Sequence, residues 1–273
     1  MAVHHGGKRQ PAADTPAGGA PLPHAGIRAV YPAGERFSGS AGCQQTGNKR
    51  TVETPNTLKT LILANGDVND GPLVRRALAA APDAWVIAAD GGARLARFFG
   101  LPVHTLIGDM DSLSAEEVAV LSENGADVHR YPEEKNETDL ELALDWAANQ
   151  GAAWIRILGA VGNRLDQTFS NVYLLALSAL AGRDVRLVAG RQEIWLLPPG
   201  ESLIQGAAGD TVSLIPLNGD VRGVRTENLY YALRDETLVF GPARGISNVM
   251  QAAEARVWIR EGILLAVHTL GRA

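Results

Sequence analysis

The hydrophobic positions of this chain change their pattern twice along its length. From Leu58 to about Gly190, short apolar runs bounded by turn residues alternate with segments in which apolar residues recur at helical spacing. The runs predict buried strands at 58–64, 85–89, 105–107, 127–131, 154–158 and 185–188. The segments between them predict helices at 72–80, 93–99, from Ser114 onward, at 139–149 and at 166–180. Strict alternation of strand and helix predicts a mostly parallel sheet with helices on both faces.

After Gly190 the apolar runs become shorter and no helical spacing separates them. Turn residues (Gly, Pro, Asn, Asp) bound strand candidates at 193–197, 202–204, 211–216, 221–226, 238–240, 254–260 and 263–269. This spacing predicts a small all-β sandwich or barrel. Arg260-Glu261-Gly262, between the last two runs, predicts a tight hairpin turn. The fold class is therefore α/β, with a small all-β domain after the α/β domain.

The first 56 residues have a third pattern. They are rich in Gly, Pro, Ala, Ser and Thr and show no apolar periodicity. Such a segment cannot bury enough apolar surface to offset the entropy lost on ordering, so it predicts a disordered tail. The chain is thus expected to consist of a tail at 1–56, an α/β nucleotide- and Mg²⁺-binding domain at 57–190 and a β-sandwich domain at 191–273.

Composition and charge narrow the function classes. The chain has 273 residues, 46% of them hydrophobic, and a formal net charge of −5, without the basic stripe that nucleic-acid binding requires. Its single cysteine, Cys43, excludes an internal disulfide framework and a cysteine-rich metal site. No apolar run approaches the ~18 residues of a membrane span. We therefore expect a cytoplasmic protein that binds neither nucleic acid nor a membrane.

Carboxylates follow the predicted strands of the first domain at the points where those strands end. Asp109 and Asp111 come two residues apart after the strand 105–107, and the turning backbone there allows both side chains to converge. Two carboxylates at one point repel each other unless a cation lies between them, and clusters of oxygen ligands suit Mg²⁺. Other strand ends carry Asn65-Gly66-Asp67, Asp90-Gly91-Gly92, Glu137-Thr138-Asp139 and the turn 159–166, which ends at Asp166.

Ligands of open α/β sheets bind beyond the carboxyl ends of the strands, so these turns are expected to form one site. We predict a site for polyphosphate and Mg²⁺ in which Asp90, Asp109 and Asp111 hold the metal. Backbone N–H groups of the glycine turns and the side chain of Arg164 would bind phosphate. Transfer at such a site needs mainly positioning and charge neutralisation, and the chain carries no motif for a nucleophilic side chain.

Each of these acids could also serve a purely structural purpose. Asp139 follows Thr138, which has the spacing of a capping box with Glu141, and Asp166 likewise stands near the start of its helix. The acid pair after the strand 105–107 fits an ordinary solvated turn. Unrelated helix caps need not all fall on one edge of one sheet, and this shared position favours the functional interpretation.

Several stretches of the chain resemble, in order and character, the motifs of thiamine pyrophosphokinases. In the first domain they are Ala89-Asp90-Gly91-Gly92-Ala93, Ile107-Gly108-Asp109-Met110-Asp111-Ser112, Glu137-Thr138-Asp139-Leu140-Glu141-Leu142-Ala143-Leu144 and Gly162-Asn163-Arg164-Leu165-Asp166-Gln167-Thr168. In the second domain they are Tyr231-Ala232-Leu233 and Gly245-Ile246-Ser247-Asn248. The resemblance covers the chain from about Leu58 to its end.

This resemblance implies an enzyme that transfers the terminal diphosphate of ATP to the hydroxyethyl oxygen of thiamine and releases AMP. It implies a homodimer with thiamine bound at the subunit interface. The acids implied for the Mg²⁺ and diphosphate site are Asp90, Asp109, Asp111, Asp139 and Asp166. Either Asp111 or Asp139 is expected to accept the hydroxyl proton. The further binding residues implied are Asn65, Gly91, Gly92, Thr138, Arg164, Gln167, Ser247 and Asn248, the last two for thiamine.

The chain departs from the family pattern in two places that are expected to contact the acceptor. Val249, Met250 and Gln251 follow the Ser-Asn pair, where an acidic residue is frequent, and Tyr230 or Tyr231 replaces a basic residue. Diphosphate transfer to another hydroxymethyl heterocycle therefore stays open, as does a non-catalytic sensor of thiamine or nucleotide. A haloacid-dehalogenase-like phosphatase also has Asp-x-Asp after a strand, but it requires Thr or Val where this chain has Leu113.

Overall fold

The computed structural model describes residues 58–272. Its first part alternates strand and helix as the sequence predicts. The elements are β1 (Lys59–Leu63), α1 (Pro72–Ala79), β2 (Trp85–Ala89), α2 (Gly92–Phe99), β3 (Thr105–Gly108), α3 (Ala115–Glu123), β4 (Asp127–Arg130), α4 (Asp139–Asn149), β5 (Trp154–Leu158), α5 (Leu165–Tyr173) and β6 (Asp184–Ala189). Two short 3₁₀ helices, Leu174–Ala176 and Ser178–Leu180, connect α5 to β6.

The second part of the described chain consists of strands. They are β7 (Gln192–Leu197), β8 (Gly200–Gln205), β9 (Thr211–Pro216), β10 (Val221–Glu227), β11 (Arg234–Leu238), β12 (Asn248–Val249), β13 (Glu254–Ile259) and β14 (Leu264–Thr269). No described helix is long and apolar enough to cross a membrane.

The strands form one ten-stranded sheet and one four-stranded sheet. The large sheet has the order β12-β9-β14-β7-β6-β5-β1-β2-β3-β4 and the small sheet the order β11-β10-β13-β8. Strands β1 to β6 of the large sheet pair in parallel, whereas β7, β14, β9 and β12 pair antiparallel. The parallel part and the β part thus share a continuous sheet, joined where β6 pairs with β7.

The parallel strands are buried on both faces, which explains their continuous apolar runs. On β1, Ile62 packs in a core cluster with Leu144 of α4, whereas Leu61 on the opposite face packs with Leu73 of α1 and Leu95 of α2. Parallel sheets with helices on both faces require this composition. The predicted α/β fold class is confirmed.

The antiparallel part packs as a sandwich. Trp195, Leu214 and Ala266 of the large sheet share one hydrophobic cluster with Val224 and Val257 of the small sheet. Inward-facing residues of two packed sheets alternate with outward-facing ones along each strand, and β13 shows this alternation in its burial. The predicted all-β sandwich is confirmed.

Three local predictions are wrong. The helix expected at 166–180 ends at Tyr173, because Leu177 adopts an extended backbone (φ −56°, ψ 133°) between the two 3₁₀ helices. The break places Leu174, Leu175 and Leu180 in the core cluster beneath α4. No Gly or Pro marks the break, so helical propensity alone predicts a longer helix.

The strand expected at 238–240 lies earlier, as β11. This strand contains Arg234, Asp235 and Glu236 and forms the outer edge of the small sheet, where charged side chains reach solvent. Its pairing with β10 brings Leu238 opposite Val221, and the chain leaves the sheet before Phe240. The apolar pattern predicts the wrong segment because the edge strand is mostly polar.

The hairpin expected at Arg260-Glu261-Gly262 is also wrong. β13 before it belongs to the small sheet and β14 after it belongs to the large sheet, so the turn carries the chain across the sandwich. β13 alternates because one of its faces meets the sandwich core, whereas β14 is buried on both faces, with Ala266 in the sandwich core and Leu265 in the core cluster of Ile62. An apolar pattern alone does not say which strand pairs with which.

The predicted segment limits remain predictions. The tail expected at 1–56 lies outside the described residues. The boundary expected between 190 and 191 falls at the turn between β6 and β7, where Gly190 has φ 59°. Glycine adopts this left-handed conformation without strain.

Candidate active site

The carboxyl ends of the parallel strands surround a cavity of about 550 Å³. Its walls come from the turns after β1, β2, β3 and β5 and from the first residues of α4 and α5. Predicted site residues in this wall are Asn65, Asp90, Asp109, Asp111, Thr138, Asp139, Arg164 and Gln167. The structure therefore brings together eight of the predicted site residues at the edge of the sheet where ligands of this fold class bind.

Three carboxylates converge in this cavity. Asp90, Asp109 and Asp111 each offer an oxygen, and these three atoms all lie within 4.8 Å of one another. Asp90 is only 4% exposed, and its Oδ1 is buried without a hydrogen-bond partner among the described residues. A buried carboxylate oxygen without a partner is costly, and a cation would satisfy it. These three residues, called the acid triad below, therefore fit a divalent cation that prefers oxygen ligands, such as Mg²⁺.

The backbone at the acid triad adopts rare conformations. Asp90 has φ 45° and Met110 has φ 66°, which is the left-handed region that side chains other than glycine seldom occupy. These turns point successive side chains in directions that a regular strand does not allow. Strain of this kind is concentrated at functional sites, where the surrounding structure holds it in place.

Hydrogen bonds fix the orientation of the two acids after β3. Asp111 donates its backbone N–H to Asp109 Oδ1 at 3.1 Å. The amide of Asn65 donates to Ser112 Oγ at 3.1 Å, and this hydroxyl donates to Asp111 Oδ1 at 3.1 Å. The predicted site residue Asn65 thus acts on the triad through Ser112.

Glycines permit the close packing behind the cavity. A Cβ on Gly108 (φ 148°) would lie 3.0 Å from Asp139 Cγ and 3.1 Å from Asp90 Cβ. A Cβ on Gly92 would lie 1.8 Å from the carbonyl oxygen of Leu63, and one on Gly91 would lie 2.3 Å from Asn65 Oδ1. Gly91 and Gly92 do not line the cavity. Glycine is needed at these two positions because the end of β1 approaches the start of α2 too closely for a side chain.

Asp139 is the first residue of α4, and the sequence analysis missed its partner Lys135. Thr138 caps the helix by accepting from Glu141 N at 3.2 Å. Lys135 Nζ lies 3.0 Å from Asp109 Oδ2 and 3.0 Å from Asp139 Oδ1, the latter contact being poorly aligned for a hydrogen bond. The four-residue spacing between Lys135 and Asp139 could have indicated this ion pair. It was overlooked because Lys135 lies in a loop, whereas the other site residues were found at strand ends.

Burial and this lysine set the protonation of the two acids in opposite directions. Burial raises the pKa of Asp139 above its ordinary value, and Lys135 only partly opposes this effect. Burial acts on Asp109 in the same direction, but the Asp111 N–H and the Lys135 ammonium outweigh it and lower the pKa of Asp109. Asp139 is therefore the stronger base of the two.

Asp166 lies apart from the triad. Its Oδ2 is 2.5 Å from Arg164 Nη2, both side chains are about two-thirds exposed, and Asp166 does not line the cavity. The Arg164 guanidinium lowers the pKa of Asp166. Asp166 is thus paired with the Arg164 guanidinium and lies outside the cavity lining, and the role that the resemblance implies for it in the Mg²⁺ and diphosphate site remains a prediction.

Ser247 and Asn248 lie on the β sandwich and do not line the cavity of their own chain. Asn248 is buried, and its amide accepts from Tyr231 N at 2.9 Å and donates to Tyr231 O at 2.8 Å. These bonds hold the exposed rings of Tyr230 and Tyr231, whose centroids are 4.9 Å apart. Ser247, which directly precedes Asn248, is exposed and has φ 57°.

Comparison with known proteins identifies the family. The model of "Thiamin pyrophosphokinase, catalytic domain" matches residues 78–187, and that of "Thiamin pyrophosphokinase, vitamin B1 binding domain" matches residues 201–264. The thiamine pyrophosphokinase of Bacillus subtilis (strain 168) is 29% identical over 170 residues, which are 62% of this chain and 79% of that protein.

Solved structures agree with the sequence comparison. The crystal structure of thiamine pyrophosphokinase from Bacillus subtilis has a TM-score of 0.69 at 26% identity, and the match covers 78% of this chain and 99% of that one. That of thiamin pyrophosphokinase from Geobacillus thermodenitrificans has a TM-score of 0.68 at 29% identity, with 78% and 97% covered. Both domains, their order and the fold they form are shared, and the chain belongs to the thiamine pyrophosphokinase family.

Proposed function

We propose that this chain transfers the diphosphate of Mg-ATP to the hydroxyl of thiamine and produces thiamine diphosphate and AMP. The observation that carries the proposal is the convergence of the acid triad and Asp139 in one cavity at the strand ends. Family membership supports thiamine as the acceptor, and the cavity supports a metal-bound polyphosphate as the donor.

The reaction exchanges one bond to phosphorus for another. The thiamine hydroxyl oxygen attacks the β-phosphorus of ATP, and the bond from this phosphorus to the oxygen that bridges it to the α-phosphate breaks. AMP leaves with the electron pair of that bond. Because burial raises the pKa of Asp139 whereas the pKa of Asp109 is lowered, Asp139 is better suited than Asp109 to accept the hydroxyl proton.

The remaining residues bind and orient. Asp90, Asp109 and Asp111 would hold Mg²⁺, which when bound neutralises phosphate charge and orients the diphosphate. Arg164 and Gln167, both on the cavity wall, would contact phosphate oxygens, with Arg164 exchanging its bond to Asp166 for one to the nucleotide.

We further propose that thiamine binds between two copies of the chain. Ser247 and the tyrosines held by Asn248 are exposed on the sandwich and lie outside the cavity of their own chain. A homodimer in which the sandwich of one subunit faces the cavity of the other would bring thiamine to the diphosphate. The cytoplasmic location expected from the sequence remains a prediction.

A product assay tests the proposal. Purified protein is incubated with Mg-ATP and thiamine, and the products are quantified by chromatography with mass detection. We expect thiamine diphosphate and AMP in equal amounts, with formation dependent on both thiamine and Mg²⁺. Thiamine monophosphate with ADP would contradict diphosphate transfer, and the absence of any thiamine product would contradict the acceptor.

A matched pair of variants links the product to the site. Asp111→Asn removes a charge from the triad, whereas Asp83→Asn removes an exposed carboxylate just before β2, at the opposite end of that strand from Asp90. We expect activity to be lost only in the first variant. Equal activity of the two variants would contradict the assignment of the triad.

A further inference from the structure

Lys135 lines the acidic cavity and has no role in the reaction described above. Its Nζ contacts Asp109 Oδ2 and Asp139 Oδ1, each at 3.0 Å, and donates to Pro132 O at 3.3 Å. Of the three donors of this ammonium, two bond Asp109 Oδ2 and Pro132 O, and the contact with Asp139 Oδ1 is an ion pair. The side chain is only 11% exposed, which means that the protein rather than solvent holds the charge in place.

The carboxylates around Lys135 carry more negative charge than it balances. Five carboxylates line the cavity, namely those of the acid triad, Asp139 and the exposed Asp67. Among the described residues that line this cavity, the other cation is Arg164, whose side chain is 70% exposed and paired with Asp166. Lys135 is therefore the cation that balances the interior acids.

Lys135 also connects three separate parts of the site. It lies in the loop between β4 and α4, and its contacts reach Asp109 beyond β3 and Asp139 at the start of α4. Asp109 is a proposed metal ligand and Asp139 is the proposed proton acceptor. The Lys135 ammonium therefore lies between these two parts of the site.

We propose that Lys135 is a positioning residue that serves as the built-in counter-cation of this site and makes metal binding depend on the nucleotide. The inference rests on the proposed function, because it assumes that the triad takes the metal of metal–ATP. Lys135 holds Asp109 and Asp139 together before substrate binds, and its charge repels a bare divalent cation at the triad. A metal–triphosphate complex carries net negative charge, so the same ammonium attracts it.

The experiment measures metal binding in the full chain without turnover. Mn²⁺ is titrated into the protein and free Mn²⁺ is followed by electron paramagnetic resonance. Because ATP itself binds Mn²⁺, binding of preformed Mn²⁺–ATP without thiamine is measured separately, by equilibrium dialysis against a compartment without protein. Lys135→Gln removes the charge and should tighten binding of Mn²⁺ alone on the order of tenfold, the effect of removing a unit charge a few ångströms from a divalent ion. The same variant should bind Mn²⁺–ATP more weakly than the wild type does.

Two further variants separate charge from structure. Lys135→Arg keeps the positive charge, and its affinity for Mn²⁺ alone should stay within about twofold of the wild-type value. Lys59→Gln changes the other lysine of residues 58–272, which donates to Ala80 O at the opposite end of β1, and should change neither affinity. If Lys135 had only a structural role, Lys135→Gln would bind Mn²⁺ alone more weakly than the wild type, whereas the inference predicts tighter binding.

Unchanged or weaker binding of Mn²⁺ alone by Lys135→Gln would overturn the inference. If that variant does not fold, the wild type still tests it, because the inference requires the protein to bind Mn²⁺–ATP at least about tenfold more tightly than it binds Mn²⁺ alone. Equal wild-type affinities would overturn it. Failure of the wild type to bind either Mn²⁺ or Mn²⁺–ATP would contradict the metal site of the proposed function itself, an outcome distinct from the others.

Discussion

Replacement of His268 by Gln should destabilise the protein most strongly at low pH. His268 is fully buried on β14, with Nε2 2.9 Å from Asp210 Oδ2 and Nδ1 3.3 Å from Glu193 Oε1. Burial alone would lower the pKa of His268, but the two carboxylates outweigh it and raise the pKa above its ordinary value. The imidazole is therefore charged in the folded state at pH values where it is neutral in the unfolded chain.

The size of the loss in unfolding free energy depends on the partners that the two carboxylates retain when the imidazole is removed. Removal of one partner of a buried ion pair typically costs about 3–5 kcal/mol. Glu193 retains Arg186, whose Nη1 lies 2.9 Å from Oε1, and Asp210 retains the N–H groups of Ala207 and Gly271. Because neither carboxylate is left without a partner, the loss should lie near the lower end of this range, about 3 kcal/mol at pH 6.

The sign of the pH dependence is fixed by the direction of the pKa shift. A raised folded-state pKa gives stabilisation that is complete below the unfolded value of about 6.5 and is lost as pH rises through the folded value. The pKa values of Glu193 and Asp210 are lowered, so these carboxylates titrate only in acid and stay charged above pH 6. The difference between wild type and His268→Gln should therefore shrink as the pH rises above the unfolded value of about 6.5 and through the raised folded-state pKa of His268.

Urea unfolding followed by tryptophan fluorescence at several pH values measures this difference. His104→Gln is the matched control, because burial lowers the pKa of His104, and its contribution is constant above about pH 6.5. The wild type minus His104→Gln difference should be flat over the range in which the His268 difference falls. A His268 difference that stays constant or grows with pH would refute a charged imidazole in the folded protein.

Three other substitutions test the site and its framework. Asp109→Asn should lower the rate of thiamine diphosphate formation by about 100-fold or more while leaving thermal unfolding nearly unchanged. The Asp83→Asn control should keep the wild-type rate. Gly92→Ala should cost more than about 3 kcal/mol in urea unfolding, because its Cβ would lie 1.8 Å from the Leu63 carbonyl oxygen. Ser247→Ala should raise the KM for thiamine more than that for ATP in steady-state kinetics, and the reverse order would contradict its role.

The parallel part of the fold was predictable because its strands are buried on both faces. The five residues of β2 are all apolar, and so short a run between turn residues is typical of a buried strand. The capping box of α3 was equally readable, and Ser114 and Glu117 form both of its hydrogen bonds. The edge strand β11 was misplaced because solvent satisfies its polar side chains, so no apolar pattern marks it.

The triad was predictable from the sequence, whereas the contacts of Lys135 were not. Asp90, Asp109 and Asp111 follow strand ends, and a parallel sheet brings the carboxyl ends of its strands to one edge independently of the paths of the loops. Lys135 reaches Asp109 from 26 positions away through a loop whose path depends on tertiary packing. Its contact with Asp109 therefore leaves no periodic mark in the sequence.

The site and the sheet behind it depend on each other. The five carboxylates that line the cavity repel one another, and the left-handed turns at Asp90 and Met110 each cost about 1–3 kcal/mol. The acids would separate unless the framework held them. The framework that does so is β1 to β3, whose residues Ile62, Ile87 and Ile107 are 0% exposed and belong to one cluster. This rigid framework keeps the carboxylates in place for a metal–polyphosphate ligand. The burial of its apolar residues away from the cavity offsets the free energy lost to carboxylate repulsion and backbone strain at the site.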